Sequence, residues 1–323
     1  MDRRVFLKTA ASAAMVAASP CESFASAWPK DRPIRAVVPF SPGASIDIIG
    51  RICADAVSRR IGQTIVVMNR GGAGGTLGAD YVAKSDPDGY TLLIQASNQT
   101  IAPAIYKHLP YDTLKDFSGV AIFGTVPNVL LVSPRSGYKS VQELVAKAKT
   151  KDIFFSSSGV GSASHWAAER FRISAGFKAT HVPMKSGLEA LTEVIANRID
   201  FCCIGTSAAM AFIQGKQVDA LCVTADTRSA SLPDVPTSVE LGYKDSVYNF
   251  WNGALLPAKT PRAIVDRLYK EITASLADPE VKRKLVAQGV EPSPVTPTEF
   301  DAQMRREVEE NKKIARAAGL QLR

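Results

Sequence analysis

Short apolar runs alternate with segments of helical periodicity over the first hundred residues. The runs are "IRAVVPF" (34–40), "TIVVMNR" (64–70) and "YTLLIQA" (90–96), and the periodic segments between them are "IDIIGRICADAVSRRIG" (46–62) and "GTLGADYVAKS" (75–85). Short runs bounded by turn residues are typical of buried strands, and apolar residues spaced by three and four indicate amphipathic helices. The β–α–β–α–β order predicts an α/β fold with a mostly parallel sheet and helices on its faces.

A second series of the same kind begins at residue 127. Its strand-like runs are "PNVLLVSP", "DIFFSSS", "ATHVPM", "IDFCCIG" and "VDALCVTA", and each except the last is followed by a helical segment. We expect two lobes, with residues 28–127 and 226–323 in the first and residues 128–225 inserted as the second. The crossings between them are expected around residues 127–131 and 222–225. Two C-terminal helices, around 261–276 and 297–318, could pack on either lobe.

The first 27 residues, "MDRRVFLKTAASAAMVAASPCESFASA", have the composition of an export signal. A basic start precedes an Ala-rich run too short to anchor the chain in a membrane, and the small residues at 25–27 offer a cleavage site. The pair Arg3–Arg4, followed by Phe-Leu-Lys, resembles a twin-arginine signal and predicts a periplasmic protein exported after folding. We expect Cys21 to be removed with the signal, because Pro20 fits a lipoprotein site poorly.

The chain carries 39 Lys and Arg against 31 Asp and Glu, a formal net charge of +8. Removing residues 1–27 takes away three basic and two acidic residues, so the mature chain keeps a charge of about +7. The basic residues are scattered, with no aromatic platform among them, which argues against a nucleic-acid partner. A diffuse positive field favours anionic small molecules.

The spacing of the cysteines and histidines does not indicate a metal site. Cys53, Cys202, Cys203 and Cys222 remain in the mature chain, without a Cys-x-x-Cys pair or a Cys/His spacing suited to zinc. Buried free thiols are ordinary in apolar runs, although an exported protein can also form a structural disulfide. No HExxH motif or carboxylate cluster is present, so we predict no metal and no cofactor.

Three loops rich in glycine and serine precede predicted helices: "SPGASID" (41–47), "GGAGGTLG" (71–78) and "SSSGVGSASH" (156–165). None matches a dinucleotide fingerprint or a Walker A motif. The first turn of a helix has N–H groups without internal partners and a partial positive charge, so such loops can hold a carboxylate or phosphate. The alternative is that Ser45 and Ser162 only cap their helices. Two such loops, one per lobe, favour a ligand cleft.

Six segments follow the order of one known family: "WPKDRPIRAVVPFSPGASID", "NRGGAGGTLGADYVAKSDPDGYTLL", "LPYDTLKDF", "SSSGVGSASH", "THVPMKSG" and "LPDVPTSVELGY". The chain therefore resembles the periplasmic solute-binding proteins of tripartite tricarboxylate transporters, the Bug receptor family. The resemblance implies a type II periplasmic binding protein fold, with two lobes that close on a ligand between them. It also implies a receptor that captures a small organic carboxylate and delivers it, in transient contact, to membrane transporter subunits. We expect a monomer.

In that family a ligand carboxylate lies between the first loop of one lobe and the glycine/serine loop of the other, partly through ordered water. Carried over by position, the contacts would be Phe40, Ser41, Gly43, Ala44, Ser45 and Asp47 in the first lobe, and Ser157, Ser158, Gly159, Gly161, Ser162, Ser164, His165 and Cys203 in the second. Ser45 and neighbouring N–H groups would donate to the anion, and Phe40 would supply an apolar wall. An ionised Asp47 cannot face a carboxylate, so we expect it to bind loop N–H groups or an ordered water.

Three positions depart from the family pattern. The double glycine of the first loop is Gly43–Ala44 here, which works as long as residue 44 keeps a negative φ. Gly71 replaces a proline and is expected to change only turn stiffness. The family's Asp-Asn pair facing the cleft is Cys203–Ile204, so a ligand ammonium group would have no acidic partner. We therefore expect a purely anionic carboxylate with an aliphatic or aromatic body rather than an amino acid.

Two other functions stay open on the sequence: an exported hydrolase of the α/β class and a ligand sensor for a signalling system. A Ser–His–Asp hydrolase needs an exposed nucleophile such as the GxSxG motif supplies, and the sequence has none. His165 and His181 are expected to have capping or packing roles, and Trp251 could either line the cleft or pack in the core. We predict a binding protein without catalytic residues.

Overall fold

The computed structural model describes residues 28–320, in which two five-stranded sheets form two α/β lobes. The predicted export signal, with its twin-arginine pair and Cys21, lies outside the described residues. The elements of the first lobe are β1 (Ile34–Val38), α1 (Ser45–Ile61), β2 (Ile65–Asn69), α2 (Thr76–Ala83), β3 (Thr91–Ala96), α3 (Asn98–Ile105) and β4 (Phe117–Val126). Those of the second are β5 (Asn128–Val132), α4 (Val141–Ala148), β6 (Phe154–Ser157), α5 (Ala163–Ser174), β7 (Thr180–Pro183), α6 (Gly187–Ile195), β8 (Phe201–Gly205), α7 (Thr206–Gln214) and β9 (Asp219–Val223). The chain then forms β10 (Phe250–Pro257), α8 (Arg262–Leu276), α9 (Pro279–Ala287) and α10 (Pro297–Ala317).

The first sheet has the strand order β2-β1-β3-β10-β4. β1 pairs in parallel with β2 and β3, whereas β10 runs antiparallel to β3 and β4. In β1, Ile34 and Val38 face one apolar cluster and Val37 faces another. Both faces of the sheet are therefore buried, which explains why its strands are continuous apolar runs rather than alternating ones.

The second sheet has the strand order β7-β6-β8-β5-β9. β6 pairs in parallel with β7 and β8, and β5 runs antiparallel to β8 and β9. Leu130 and Val132 face one apolar cluster, and Val129 and Leu131 face the other. Both sheets are mixed, and in each the antiparallel pairs involve a strand next to a crossing between the lobes.

Both crossings lie beside strands that the sequence pattern predicts poorly. β4 ends at Val126 and β5 begins at Asn128, so only Pro127 separates the two sheets there. The return crossing lies between the end of β9 and the start of β10. β4 and β10 are not predicted from the sequence, because "FSGVAIFGTV" and "FWNGALLP" contain glycine, asparagine or proline, which weaken a strand signal.

The C-terminal helix α10 contacts both lobes. Trp166 Nε1 in α5 donates to Asn311 Oδ1 at 2.7 Å, and Trp251 Nε1 in β10 donates to Glu307 Oε2 at 2.9 Å. Trp251 is fully buried and packs edge-to-face on Phe300, so it belongs to the core and does not line the cleft. The sequence left open which lobe the C-terminal helices pack on, and α10 packs on both.

The segment after α8 forms an additional helix, α9. Asp278 Oδ1 accepts from Glu280 N at 2.8 Å and from Val281 N at 3.2 Å. Pro279 occupies the first helical position, where its missing N–H costs nothing, and it disfavours a helical conformation at the residue before it. The cap and the proline together end α8 and begin α9.

The four cysteines of the described residues are buried free thiols, so the disulfide alternative is not realised. Within residues 28–320, no helix has the length and hydropathy needed to cross a membrane.

Candidate functional site

A cavity of about 350 Å³ lies between the two lobes, where strands of both sheets end. The first lobe contributes Phe40, Ala44, Ser45, Ile46, Ala96, Asn98, Val126, Phe250 and Asn252. The second lobe contributes Asn128, Ser158, Ala163, Ser164, Gly187, Ile204, Gly205, Ser207 and Ala208. None of these lining side chains is charged. A ligand would therefore meet apolar groups, hydroxyls, amides and backbone donors rather than ions.

The first-lobe loop, residues 41–45, leaves the N-terminus of α1 open. Ala44 is the N-cap residue and provides no side-chain cap; its φ of −63° lets alanine replace glycine without strain. No hydrogen bond among the described residues engages the N–H groups of Ser45 or Ile46, and both residues line the cavity. These donors, with the partial positive charge of the helix end, are suited to an anion.

Asp47 supports this loop from behind. Its side chain is 2% exposed and does not line the cavity; Oδ2 accepts from Gly43 N at 2.9 Å and Oδ1 from Asn69 Nδ2 at 2.8 Å. Arg51 adds an ion pair at 3.0 Å. Burial alone would raise the pKa of Asp47, but the hydrogen bonds from Arg51, Gly43 and Asn69 outweigh it and hold the pKa below its ordinary value. The carboxylate stays ionised and fixes Gly43, whose φ of +81° favours glycine.

The second-lobe loop, residues 157–164, is hydrogen-bonded mostly to itself. Ser162 Oγ accepts from His165 N at 3.2 Å and so caps α5. Ser164 Oγ accepts from Ser158 N at 2.9 Å and lies 3.0 Å from Ser162 Oγ. Because these bonds fix the serine side chains, Ser158 and Ser164 form a rigid polar wall on the cavity.

Two stacked histidines lie beneath this loop. The rings of His165 and His181 have centroids 4.0 Å apart. His165 Nδ1 accepts from Gly161 N at 3.1 Å, and His181 Nε2 lies 2.6 Å from Ser157 Oγ. Burial, together with the nearby Arg172, lowers the pKa of His181 to about 4. Ser157 is fully buried and does not line the cavity, so its pairing with His181 supports the loop and does not supply an exposed nucleophile.

Five of the predicted contact residues line the cavity: Phe40, Ala44, Ser45, Ser158 and Ser164. Ser41, Gly43, Asp47, Ser157, Gly159, Gly161, Ser162 and His165 lie in the two loops or behind them and do not line it. The placement of Cys203 on the cleft is wrong: this side chain is fully buried in the core of the second lobe, and the next residue, Ile204, lines the cavity. Successive strand residues point to opposite faces, so a register error of one residue exchanges cleft for core.

Three asparagines that were not predicted from the sequence also line the cavity: Asn98 at the start of α3, Asn128 at the start of β5 and Asn252 in β10. Asn98 Nδ2 donates to Gly161 O at 3.4 Å, a contact between the lobes beside the cavity. A usable signal for the other two is a single asparagine in each of two otherwise apolar runs, "PNVLLV" and "FWNGALL". A buried amide in such a run needs a partner.

The sequence model of the tripartite tricarboxylate transporter family receptor, TctC, matches residues 49–320 of this chain. Protein BugT of Bordetella pertussis is 31% identical over 323 residues, which cover 99% of this chain and 97% of that protein. A UPF0065 protein in the tcbD-tcbE intergenic region of Pseudomonas sp. (strain P51) is 36% identical over 262 residues, which cover 80% of this chain and 78% of that protein.

Three solved structures extend these similarities to the fold. The periplasmic binding protein BugD is 30% identical, with a TM-score of 0.73 over 91% of this chain and 99% of its own. Rpa4515 of R. palustris, solved with adipate, is 29% identical, with a TM-score of 0.77 over 92% of this chain and 100% of its own. MatC of Rhodopseudomonas palustris, solved with bound malate, is 26% identical, with a TM-score of 0.71 over 88% of this chain and 99% of its own. The type II periplasmic binding fold expected from the sequence is confirmed.

Proposed function

The chain belongs to the tripartite tricarboxylate transporter receptor family, the Bug receptors, and we propose that it captures a small organic carboxylate in the cavity between its lobes. Members of this family are periplasmic solute-binding proteins. The proposal includes delivery of the ligand, by a monomer in transient contact, to the membrane subunits of a tripartite transporter. Residues 28–127 with 226–323 and residues 128–225 act as the two bodies that close on the ligand.

The observation that carries the proposal is an open helix N-terminus facing an uncharged cavity. Ser45 and Ile46 offer N–H groups from α1, and Ser158 and Ser164 offer hydroxyls from the opposite lobe. A carboxylate can accept from both sets only when the lobes are close, so binding favours the closed arrangement. Phe40 supplies an apolar wall for the carbon body of the ligand.

The remaining predicted contacts act on the ligand through the loops. Gly43 is anchored by Asp47, Gly161 by His165, and the start of α5 by Ser162. Adipate and malate in two solved relatives are both small carboxylates, which supports the same class of ligand for this chain.

The test is a thermal-shift and calorimetric screen of the mature chain against small mono-, di- and tricarboxylates and aromatic acids. A true ligand raises the free energy of unfolding by about 2.7 kcal/mol at one hundred times its dissociation constant. The ligand should be recovered unchanged, which NMR of the mixture can check. The matched control is adipate against adipamide, which lacks the charge. Stabilisation by adipamide equal to that by adipate, or turnover of a carboxylate ester, would contradict a carboxylate receptor.

Export by the twin-arginine route is a separate part of the proposal. It is supported by Arg3 and Arg4 ahead of the apolar leader. Replacing both with lysine should abolish appearance of the mature chain in the periplasm. Unchanged export would indicate the general secretion route and would leave the ligand proposal intact.

A further inference from the structure

The edge strand β2 leaves one side of the first sheet without a partner strand. β2 is the outermost strand of that sheet, and it pairs in parallel with β1. Ile34 N in β1 donates to Thr64 O at 2.9 Å, so the even-numbered residues of this segment bond to β1. The N–H and C=O groups of Ile65, Val67 and Asn69 therefore point away from the sheet, and within residues 28–320 no strand pairs with them.

This edge lacks the features that usually protect an exposed strand. β2 has the sequence "IVVMN", with no lysine and no proline, and its register with β1 is continuous. Val66 and Met68 are 43% and 39% exposed, on the same face of the sheet as Arg35, the partner of Val66 in β1. Leu77 of α2, 52% exposed, lines a groove together with Arg35. An exposed apolar edge of this kind is a template for an added strand.

The groove beside the edge carries arginines without acidic partners. Its volume is about 660 Å³, and its charged lining residues are Arg35, Arg70, Asp80, Lys84 and Asp86. Lys84 pairs with Asp80 at 2.6 Å, whereas neither arginine forms an ion pair within the described residues. Arg35 Nη1 donates to Tyr81 Oη at 3.3 Å, and the Arg70 guanidinium lies 4.2 Å from the centroid of the same ring. Tyr81 thus holds two exposed cations where a carboxylate of a partner can reach them.

The same strand ends at the first-lobe loop of the cavity. Asn69 Nδ2 donates to Phe40 O at 3.0 Å and to Asp47 Oδ1 at 2.8 Å. Phe40 lines the cavity, and Asp47 anchors the loop. A partner bonded to the main chain of Asn69 would therefore lie one side chain away from the ligand loop.

We propose that the open edge of β2 is a docking site for an extended, acidic segment of a partner protein, which adds to the first sheet as a sixth strand. The main chain of the segment bonds to the odd-numbered residues of β2, its apolar side chains cover Val66 and Met68, and a carboxylate pairs with Arg70. A second copy of this chain fits less well, because it carries the same excess of positive charge, about +7 without residues 1–27. The proposal does not depend on which carboxylate the cavity binds.

The probe is the blocked peptide Glu-Thr-Leu-Thr-Leu-Thr-Glu, whose leucines and glutamates share one face in either strand direction. NMR of the isotopically labelled mature chain should show slower hydrogen exchange at the amides of Ile65, Val67 and Asn69 when the peptide is bound. The amides of Val66 and Met68 already face β1 and should not change, which provides an internal control. Replacing both glutamates of the peptide with lysine should weaken binding about fivefold or more, because attraction to the arginines becomes repulsion.

Val67→Pro removes an outward N–H and leaves the bonds between β2 and β1 in place, so it should weaken peptide binding about fivefold or more. If this variant fails to fold, Met68→Lys replaces it, with the same expected loss, because it brings a charge to the apolar edge. Val286→Lys on α9 is the matched control: Val286 is 52% exposed and distant in sequence from the edge, and the variant should bind the peptide as the wild type does.

Failure of the peptide to bind the wild type, or equal binding by the wild type and the edge variants, would overturn the proposal. Sedimentation tests the other occupant: a wild-type dimer that Val67→Pro dissociates would show that a second copy covers the edge, and this too would overturn the acidic partner. These results are independent of the carboxylate screen, so failure of the docking site and failure of the proposed function are distinguishable.

Discussion

The two loops that face each other across the cavity are alike in composition but opposite in hydrogen bonding. The first-lobe loop caps α1 with an alanine and leaves the N–H groups of Ser45 and Ile46 unengaged among the described residues. In the second-lobe loop the hydroxyl oxygens of Ser162 and Ser164 already accept from the N–H groups of His165 and Ser158, although Ser164 also lines the cavity. Glycine and serine content alone therefore does not distinguish an open anion site from a closed scaffold, because the difference lies in where the donors find partners.

The supports behind the two loops also differ in charge. Behind the first is the ionised Asp47, balanced by Arg51, and behind the second is the stack of His165 on His181. A charged support tolerates loss of a hydrogen bond poorly, since a buried carboxylate needs all of its donors. We expect changes on the first-lobe side to have larger effects than changes on the second.

The largest effect is expected for Asp47→Ala. Three residues lose an acceptor, so the free energy of unfolding should fall by about 2–3 kcal/mol, and affinity for the carboxylate should fall about tenfold or more because Gly43 and α1 lose their anchor. Urea unfolding and calorimetry measure the two effects. The control is Asp55→Ala on the same helix, whose ion pair with Arg59 is 60% exposed on both sides and should cost under about 0.5 kcal/mol. Equal losses in the two variants would refute the role given to Asp47.

Ser45→Ala should act on affinity and hardly on stability. Ser45 lines the cavity and its hydroxyl makes no hydrogen bond within the described residues, so the free energy of unfolding should change by under about 0.5 kcal/mol. Loss of a hydrogen bond to a charged ligand should weaken binding by about 1.5–3 kcal/mol. Calorimetric titration with the best carboxylate of the screen provides the measurement. Unchanged affinity would remove Ser45 from the site.

Ser162→Ala should show the reverse pattern. Loss of the N-cap of α5 should lower the free energy of unfolding by about 1 kcal/mol, with a smaller effect on affinity than in Ser45→Ala. Ser162→Asp restores the capping acceptor and should recover the stability, as read from urea unfolding. A loss of affinity in Ser162→Ala equal to that in Ser45→Ala would mean that the two loops bind the anion equivalently.

His181→Gln tests the smallest effect, a change in the pH dependence of stability that should appear only in acid. The folded-state pKa of His181 is lowered to about 4 from an ordinary value of 6.5, so between these limits the unfolded chain binds a proton that the folded chain does not. This contribution to stability is therefore lost as the pH falls from 6.5 to 4. Because the side chain is half-buried, solvent screening weakens the effect. Between pH 6.5 and 4, the wild type should lose under about 1 kcal/mol more of its free energy of unfolding than the variant does. Unfolding of wild type and variant from pH 7 to 4 tests it, and the comparison cancels the opposing titration of Glu169, whose pKa burial raises. Parallel pH profiles of wild type and variant would contradict the lowered pKa of His181.

Local features of this fold could be predicted because neighbouring residues determine them. The β–α alternation follows from the spacing of apolar residues, and the start of α5 after Ser162 follows from the capping chemistry of that serine. The negative φ that Ala44 needs is also a local property, and the structure has it. The family resemblance extended these local patterns to the two-lobed fold.

Only tertiary packing decided which residues near the cleft line the cavity and which are buried in the core. Both faces of each sheet are buried, so successive residues of a strand are apolar and the sequence does not distinguish one face from the other. Cys203 and Ile204 are such neighbours, and only the packed lobes show that Ile204 lines the cavity. Asn128 and Asn252 lie far apart along the chain, and both line the cavity because β10 returns to the first sheet long after β4 leaves it. The sequence by itself determined the local turns, helix starts and family; the tertiary structure decided which donors stay unpaired, because pairing depends on contacts between residues distant along the chain.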